Sequence, residues 1–501
     1  MISTRFIKLS LFIVVSIISL IIIVIKFTQT QKNVIQDSQH PHEQDINRNI
    51  NLELNEEFND FLKTKTNKNN TLKDLSNFPW IFYKVNSTEK SNEVNKECKN
   101  FPKLKDISFN NFYWQKSIFN GVEFYLFGAY LDIRPKNGPV VRILTMTNAL
   151  NFEIPTKCLL WTENEAIETN LTWKTYLWSE EWGHQTNDLY QPFLINCAIP
   201  EMFKNEVIYS VSLIGSDICE TPSNNLYVNY DYGLEKKTKI GVCFNGFNLV
   251  DEYSIKLLEW IELIKLLGGS NIYIYNLETH QNISRLLNYY EKKGFVEVIE
   301  SSLPGKYPNH KYLQNIYLEK YPGVKELVEM IYYNDCFYKN IYNHDYILFL
   351  DINELIIPNN SDWISLLAST LDNSSYYYTK EVYFFGNNKS IDGVPNYMKK
   401  LKSIYRLKDV LGLSGKSFQS TRDVLVAYNK FPLKCFSKNG RCDGVQIDTN
   451  LARLFSYKES CLEILNECEE MENLVLDESL WKYKERLINH LSESIKELDL
   501  E

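Results

Sequence analysis

An oxygen-rich cluster ends the apolar run Tyr346-Ile347-Leu348-Phe349-Leu350-Asp351-Ile352-Asn353-Glu354. On an extended chain, Asp351 and Asn353 point the same way, so two hard oxygen donors can reach one divalent cation, and a cation so held can carry a diphosphate. Glu354 follows as a candidate catalytic carboxylate that supports these ligands rather than meeting the ion. An isolated Asp-x-Asn is also compatible with a strand end that caps the next turn, so the surrounding elements carry the decision. Apolar runs of this kind suit a buried strand of a parallel sheet, and in open α/β sheets ligands bind beyond the carboxyl ends of such strands.

The elements around the cluster agree with that placement. Residues 239–244 read as a strand, and 253–267 carry Ile255, Leu258, Ile261 and Leu266 at helical spacing before Gly268-Gly269 stops the helix. A strand at 271–275, a helix at 283–293 ended by Gly294, a strand at 295–299 and a long helix at 324–341 lead into the Asp351 strand. Such a β-α-β-α-β series predicts a doubly wound parallel sheet with right-handed crossovers. Ahead of it, at 77–234, short aromatic and β-branched runs between Pro, Gly and Asn turns predict a mostly β domain that Cys158, Cys197 and Cys219 could staple, with the pairing left open. Residues 27–76, rich in Asn, Gln, Lys and Glu, read as a stem. At 471–501 the spacing of Leu474, Leu480, Tyr483, Leu487 and Leu491 predicts an amphipathic helix packing back on the α/β domain of 235–470.

At the amino terminus, a tail of residues 1–8 with Arg5 and Lys8 precedes an apolar segment at 9–26. Leu9 to Ile25, broken only by Ser10, Ser16 and Ser19, would span about 26 Å as a helix, enough to cross a bilayer, and no small-residue cleavage site follows. A retained signal-anchor is therefore expected in preference to a removed signal peptide, giving a single-pass type II membrane protein. Seven N-x-[ST] sequons and all ten cysteines lie beyond that segment, which favours a luminal body. The net charge of −9, with no Lys/Arg block, argues against a nucleic-acid partner.

Glu259-Trp260-Ile261-Glu262-Leu263-Ile264-Lys265-Leu266-Leu267-Gly268, Ile272-Tyr273-Ile274-Tyr275-Asn276 and Asn334-Asp335-Cys336-Phe337-Tyr338 precede the Asp351 run in that order. This set resembles glycosyltransferase family 92, and Ala129-Tyr130-Leu131-Asp132-Ile133-Arg134 upstream is also similar. The resemblance covers roughly residues 124–456. It implies a Golgi-type membrane protein with a GT-A-like domain that moves a sugar, notably galactose, from a UDP-sugar to a glycan or glycoprotein acceptor, with manganese held by Asp351 directly and by Asn353 weakly or through water. Asp335, within one of the resembling runs, is a substrate-binding candidate.

Two departures bear on this. The family strand ends in Asp-x-Asp-Glu, where this chain has Asn353 and so one negative charge fewer at the metal site. The family's His-Tyr-Arg stretch aligns with Ser456-Tyr457-Lys458, and His490 is the only histidine after Asp351. Lys416, in a Gly-Lys-Ser element similar to the family's Lys-Ser, can neutralise a diphosphate as a point charge, or else is a solvated surface lysine. It is not part of a phosphate-binding P-loop, because Val410 stands where that motif needs Gly. If transfer inverts the sugar carbon, Glu381 and Asp423 are candidates for the base. Cys435 with Cys442, and Cys461 with Cys468, are spaced by seven without nearby histidines, which favours disulfides over zinc. Two further readings stay open: a catalytically weakened pseudo-glycosyltransferase acting as a binding partner, supported by Asn353 and Ser456, and a lectin-like use of the β domain alone.

Overall fold

The computed structural model describes residues 99–500 apart from 152–155, 164, 185, 187, 216–218, 230–239, 248, 360–361, 371–372, 387–389, 409–414, 438 and 459–473. The tail, the 9–26 anchor and the stem expected from the sequence lie outside the described residues, as do the expected boundary near 234 and the Cys461/Cys468 pair. The expectation of a single-pass membrane protein is corrected here. Among the described residues no helix is long and apolar enough to cross a membrane; the longest, Pro322–Asn340, carries Lys325, Glu326, Glu329, Asp335 and Lys339 along its length.

The predicted alternation is realised to within two residues at each element end. Strands Ile240–Gly246, Asn271–Asn276, Val296–Glu300 and Tyr346–Phe349 are parallel neighbours, in the spatial order 296–300, 271–276, 240–246, 346–349. Strand order reverses on either side of Ile240–Gly246, and at such a point the two neighbouring connections leave on opposite faces and open a crevice at the carboxyl ends. The seven-stranded sheet continues through Ser417–Ser420, which is antiparallel to Tyr346–Phe349, then Tyr376–Tyr378 and Gly444–Gln446.

The helices show why the sequence settles this way. Ser254–Leu266 buries Leu257, Leu258, Trp260, Ile261, Leu263 and Ile264. It ends in a Schellman motif: the Gly269 amide donates to the Ile264 carbonyl and the Gly268 amide to Lys265, with Gly268 at φ +95° where a side chain is disfavoured. Pro322–Asn340 starts with proline at its first position and is buried almost all round from Met330 to Tyr338. It has no single apolar stripe because it is covered on one side by the parallel sheet and on the other by the β-rich half. The Cys243–Cys336 disulfide ties this helix to the central strand, across 93 residues of sequence.

A second sheet begins where the first ends. Glu354–Pro358 pairs antiparallel with Ala452–Lys458, which runs parallel to Glu381–Phe385. The Asp351–Asn353 segment is therefore a corner between two sheets. The amphipathic C-terminal helix, Lys484–Leu498, packs back as expected, with Leu487 and Leu491 fully buried and His490 Nδ1 2.9 Å from Glu262 Oε2 on Ser254–Leu266.

The β-rich half is a nine-stranded sheet in which Val122–Asp132 also pairs with Leu226–Asn229 and closes the ring. Cys158 bonds to Cys197 within it, Cys219 is also disulfide-bonded, and Cys435 bonds to Cys442 as the spacing suggested. Trp114, Tyr125 and Phe127 of this half share one hydrophobic core with Tyr275, Tyr332 and Phe337 of the α/β half.

The Asp132 motif braces the junction. Both Asp132 oxygens accept from Arg134, at 2.8 and 2.9 Å, while Arg142 Nε donates to Oδ2 at 2.5 Å. Arg134 Nη1 reaches across to the Val424 carbonyl at 2.8 Å. Burial alone would raise the Asp132 carboxyl, but the two guanidinium groups hold it well below the usual carboxylate range.

Candidate functional site

A cavity of about 690 Å³ opens at the carboxyl ends of Ile240–Gly246 and Tyr346–Phe349. Four carboxylates line it, Glu329, Asp351, Glu354 and Glu381, together with four lysines, Lys256, Lys325, Lys416 and Lys458. Of the seven residues singled out from sequence, the fold brings five to this wall: Asp351, Asn353, Glu354, Glu381 and Lys416.

The Asp351 corner is built by its own hydrogen bonds. The strand stops at Phe349, and Asp351 to Asn353 turn rather than extend. The Asn353 amide donates to Asp351 Oδ1 at 3.1 Å and the Glu354 amide to the Asp351 carbonyl at 2.9 Å. The Asp351 amide donates in return to Glu354 Oε2 at 2.8 Å. It is thus a side-chain-capped turn, and not strand alternation, that shapes the corner carrying both residues. Asp351 is exposed to the cavity, whereas Asn353 Oδ1 is buried with no hydrogen-bond partner. A buried carbonyl oxygen left unpaired costs free energy unless something absent from the protein itself meets it.

Lys416 stands at the site because Ser417–Ser420 runs antiparallel to Tyr346–Phe349 and so starts at the cavity edge. Gly415 precedes it where a Cβ would come within 1.9 Å of the Thr379 carbonyl oxygen, a position only glycine fits. The lysine is not a surface residue: it is 7 % exposed, and its Nζ lies 3.1 Å from Glu354 Oε2. Burial, and after it the Asp351 carboxylate, push Glu354 above the ordinary carboxylate range against the pull of Lys416.

Ser456 pairs with Glu354 across the second sheet and donates from Oγ to Glu381 Oε1 at 2.6 Å. The Tyr457 amide donates to the Asn353 carbonyl at 2.9 Å. The segment that replaces His-Tyr-Arg therefore runs directly along the Asp351 corner.

Asp335 and Asp423 do not line the cavity. Asp335 is fully buried beneath it, accepts from the hydroxyls of Tyr130 and Tyr275, and sits 3.4 Å from Lys339 Nζ. It ties the β-rich half, the central sheet and the long helix together, so it cannot meet a substrate. Asp423 follows Ser420, and Ser420 pairs with Tyr346 at the amino end of the Asp351 strand. That is the sheet edge opposite the cavity, where Asp423 is engaged by Arg422 and by Ser420 Oγ at 3.0 Å.

Sequence reasoning missed Lys325, Glu329 and Tyr333. Their spacing reads as an ordinary surface pair and core position on a helix. Pro322–Asn340 precedes the Asp351 strand and runs back against it, so its first turns face the carboxyl edge. Burial pushes the Glu329 carboxyl up to about 7, against the pull of Lys325 and Lys416.

The donor set suits a hard divalent cation held sparsely by protein. Among the described residues no cluster of three His, Cys, Asp or Glu is available. Asp351 and the unpaired Asn353 Oδ1 fit an ion that takes its remaining oxygens from a diphosphate and water.

A model of glycosyltransferase family 92 matches residues 238–491. No curated protein matches the chain. Among solved structures, the S. aureus TarS 1–349 complex with UDP-GlcNAc is similar at 13% identity over 52% of this chain and 72% of that one, with a TM-score of 0.24, too low to bear on the site.

Proposed function

Because the chain belongs to glycosyltransferase family 92 and is a glycosyltransferase, we propose that it transfers a sugar, galactose in the first instance, from a UDP-sugar to a glycan acceptor with a divalent cation bound at Asp351 and Asn353. The observation that carries this reading is that Asp351, the lysines and Asn353, whose side-chain oxygen is buried and unpaired, line one cavity. The strand order around Ile240–Gly246 supports a GT-A-like arrangement of the same half.

Each residue then has a task. Lys416 lies against Glu354 and offers positive charge to a diphosphate; since Glu354 shares that charge, the lysine is oriented before substrate arrives. Glu354 accepts the Asp351 amide and so keeps the corner in shape. Manganese, when bound there, offsets charge on the departing nucleoside diphosphate.

The test is sugar transfer by the purified chain against a panel of UDP-sugars with and without manganese. Manganese-dependent transfer from one donor supports the reading. Donor binding without turnover, from a folded sample, replaces it with a partner role supported by Asn353 and Ser456.

The neutral donor also has a measurable consequence. Asn353→Asp adds the missing charge, and the manganese concentration for half-maximal transfer is expected to fall about tenfold. A titration that does not move removes Asn353 from the ion's ligands.

A further inference from the structure

We infer that Glu329 is the catalytic base that takes the proton from the acceptor hydroxyl, an inference that rests on the transfer reaction proposed above. The argument is one of commitment among the four carboxylates of the cavity. Asp351 Oδ1 is held by the Asn353 amide. Glu354 accepts from both the Asp351 amide and Lys416. Glu381 accepts from Ser456 at 2.6 Å. Glu329 has only long contacts among the described residues, 3.4 Å to the Tyr333 hydroxyl and 4.0 Å to Lys325 Nζ. Its carboxylate is the one left to accept a proton from a substrate.

Its surroundings fit that work. Lys325, Glu326 and Tyr333 face it from its own helix, Lys416 from the segment before Ser417–Ser420, and Tyr428 from the segment after Val424–Val426. The two lysines favour the ionised form and burial the neutral one, so the group is half-ionised at about pH 7, where a general base combines availability with driving force.

An aromatic wall leads away from the same side of the cavity. Tyr333 meets Tyr428 at 6.3 Å between ring centroids, Tyr428 meets Trp182 at 4.8 Å, and Trp182 meets Trp178 at 4.9 Å. Trp182 is 36% exposed, so a sugar ring can cover its face. An acceptor arriving along this wall brings its hydroxyl to Glu329, while the donor diphosphate takes the Asp351 side.

The step is a single displacement. The acceptor oxygen bonds to the anomeric carbon as the bond from that carbon to the diphosphate oxygen breaks, and its electron pair leaves with the nucleoside diphosphate. The acceptor proton passes to Glu329, which later releases it to water. The configuration at the sugar carbon inverts.

The experiment compares the full chain with Glu329→Gln and Glu329→Ala, using the best UDP-sugar of the panel and UDP itself as the binding probe. Glu329→Gln is expected to lower kcat for transfer by about 100-fold or more. UDP affinity and melting temperature should stay within error of the parent, and the fall in rate below about pH 7 should vanish. Formate should restore part of the transfer by Glu329→Ala, which a merely structural role would not permit. Retention of transfer within about threefold in Glu329→Gln, or no formate rescue in a folded Glu329→Ala, overturns the assignment and leaves the transferase reading intact. Absence of transfer by the parent across the panel overturns both.

Discussion

Asp351→Ala is expected to lower sugar transfer by about 10²–10³-fold while leaving the fold intact. Asp351 is the one exposed carboxylate of the corner, so its removal takes away the charge that would hold the cation without opening a void in the core. It also removes the acceptor for the Asn353 amide, which loosens the turn that sets the second donor. Loss of charge and loss of preorganisation act on the same ion, so their effects should not separate in a single variant. The measurement is transfer rate against manganese concentration, with melting temperature as the control. A rate that recovers at high manganese assigns the loss to affinity. A rate unchanged at every concentration removes Asp351 from the chemistry altogether.

Asp132→Ala should act on stability instead, by about 3–5 kcal/mol. The carboxylate is fully buried and takes hydrogen bonds from both Arg134 and Arg142, so truncation leaves two guanidinium groups without their counter-charge. Chemical denaturation of the parent and the variant checks it, and a loss below about 1 kcal/mol would show that the pair is replaceable by its remaining carbonyl and aromatic contacts. The pH dependence has a definite sign. The folded-state pKa of Asp132 is depressed, so its contribution is fully present above the usual aspartate range and is lost as pH falls through the folded value. The parent should therefore lose this part of its stability only in strong acid, and Asp132→Asn should lack that acid limb.

The two variants separate what two similar-looking aspartates do. Both stand in runs that resemble one family; Asp132 is the last residue of its strand, and Asp351 lies two residues beyond the end of its own. Asp351 opens onto a cavity, whereas Asp132 closes a junction against Arg134, Arg142 and, through Arg134, the Val424 carbonyl of the other half. Asp335 belongs with Asp132: three elements converge on it and none is a substrate surface.

The features legible in the chain are those governed by local physics. Apolar period, glycine stops and strand length are properties of neighbours in the chain, so the α/β alternation, the Schellman end at Gly268-Gly269 and the cluster at Asp351 were legible. The same holds for the C-terminal helix, whose stripe at Leu487 and Leu491 needed only a surface to cover. Tertiary structure alone decided which edge each residue reaches. Ser417–Ser420 runs antiparallel to the Asp351 strand, and that direction puts Lys416 in the cavity and Asp423 at the far edge. The long helix runs back from the same edge, so Glu329 faces the site although its spacing looks like a surface pair. Strand direction and the face a helix presents are set by pairings between residues far apart in the chain, and no local pattern encodes them.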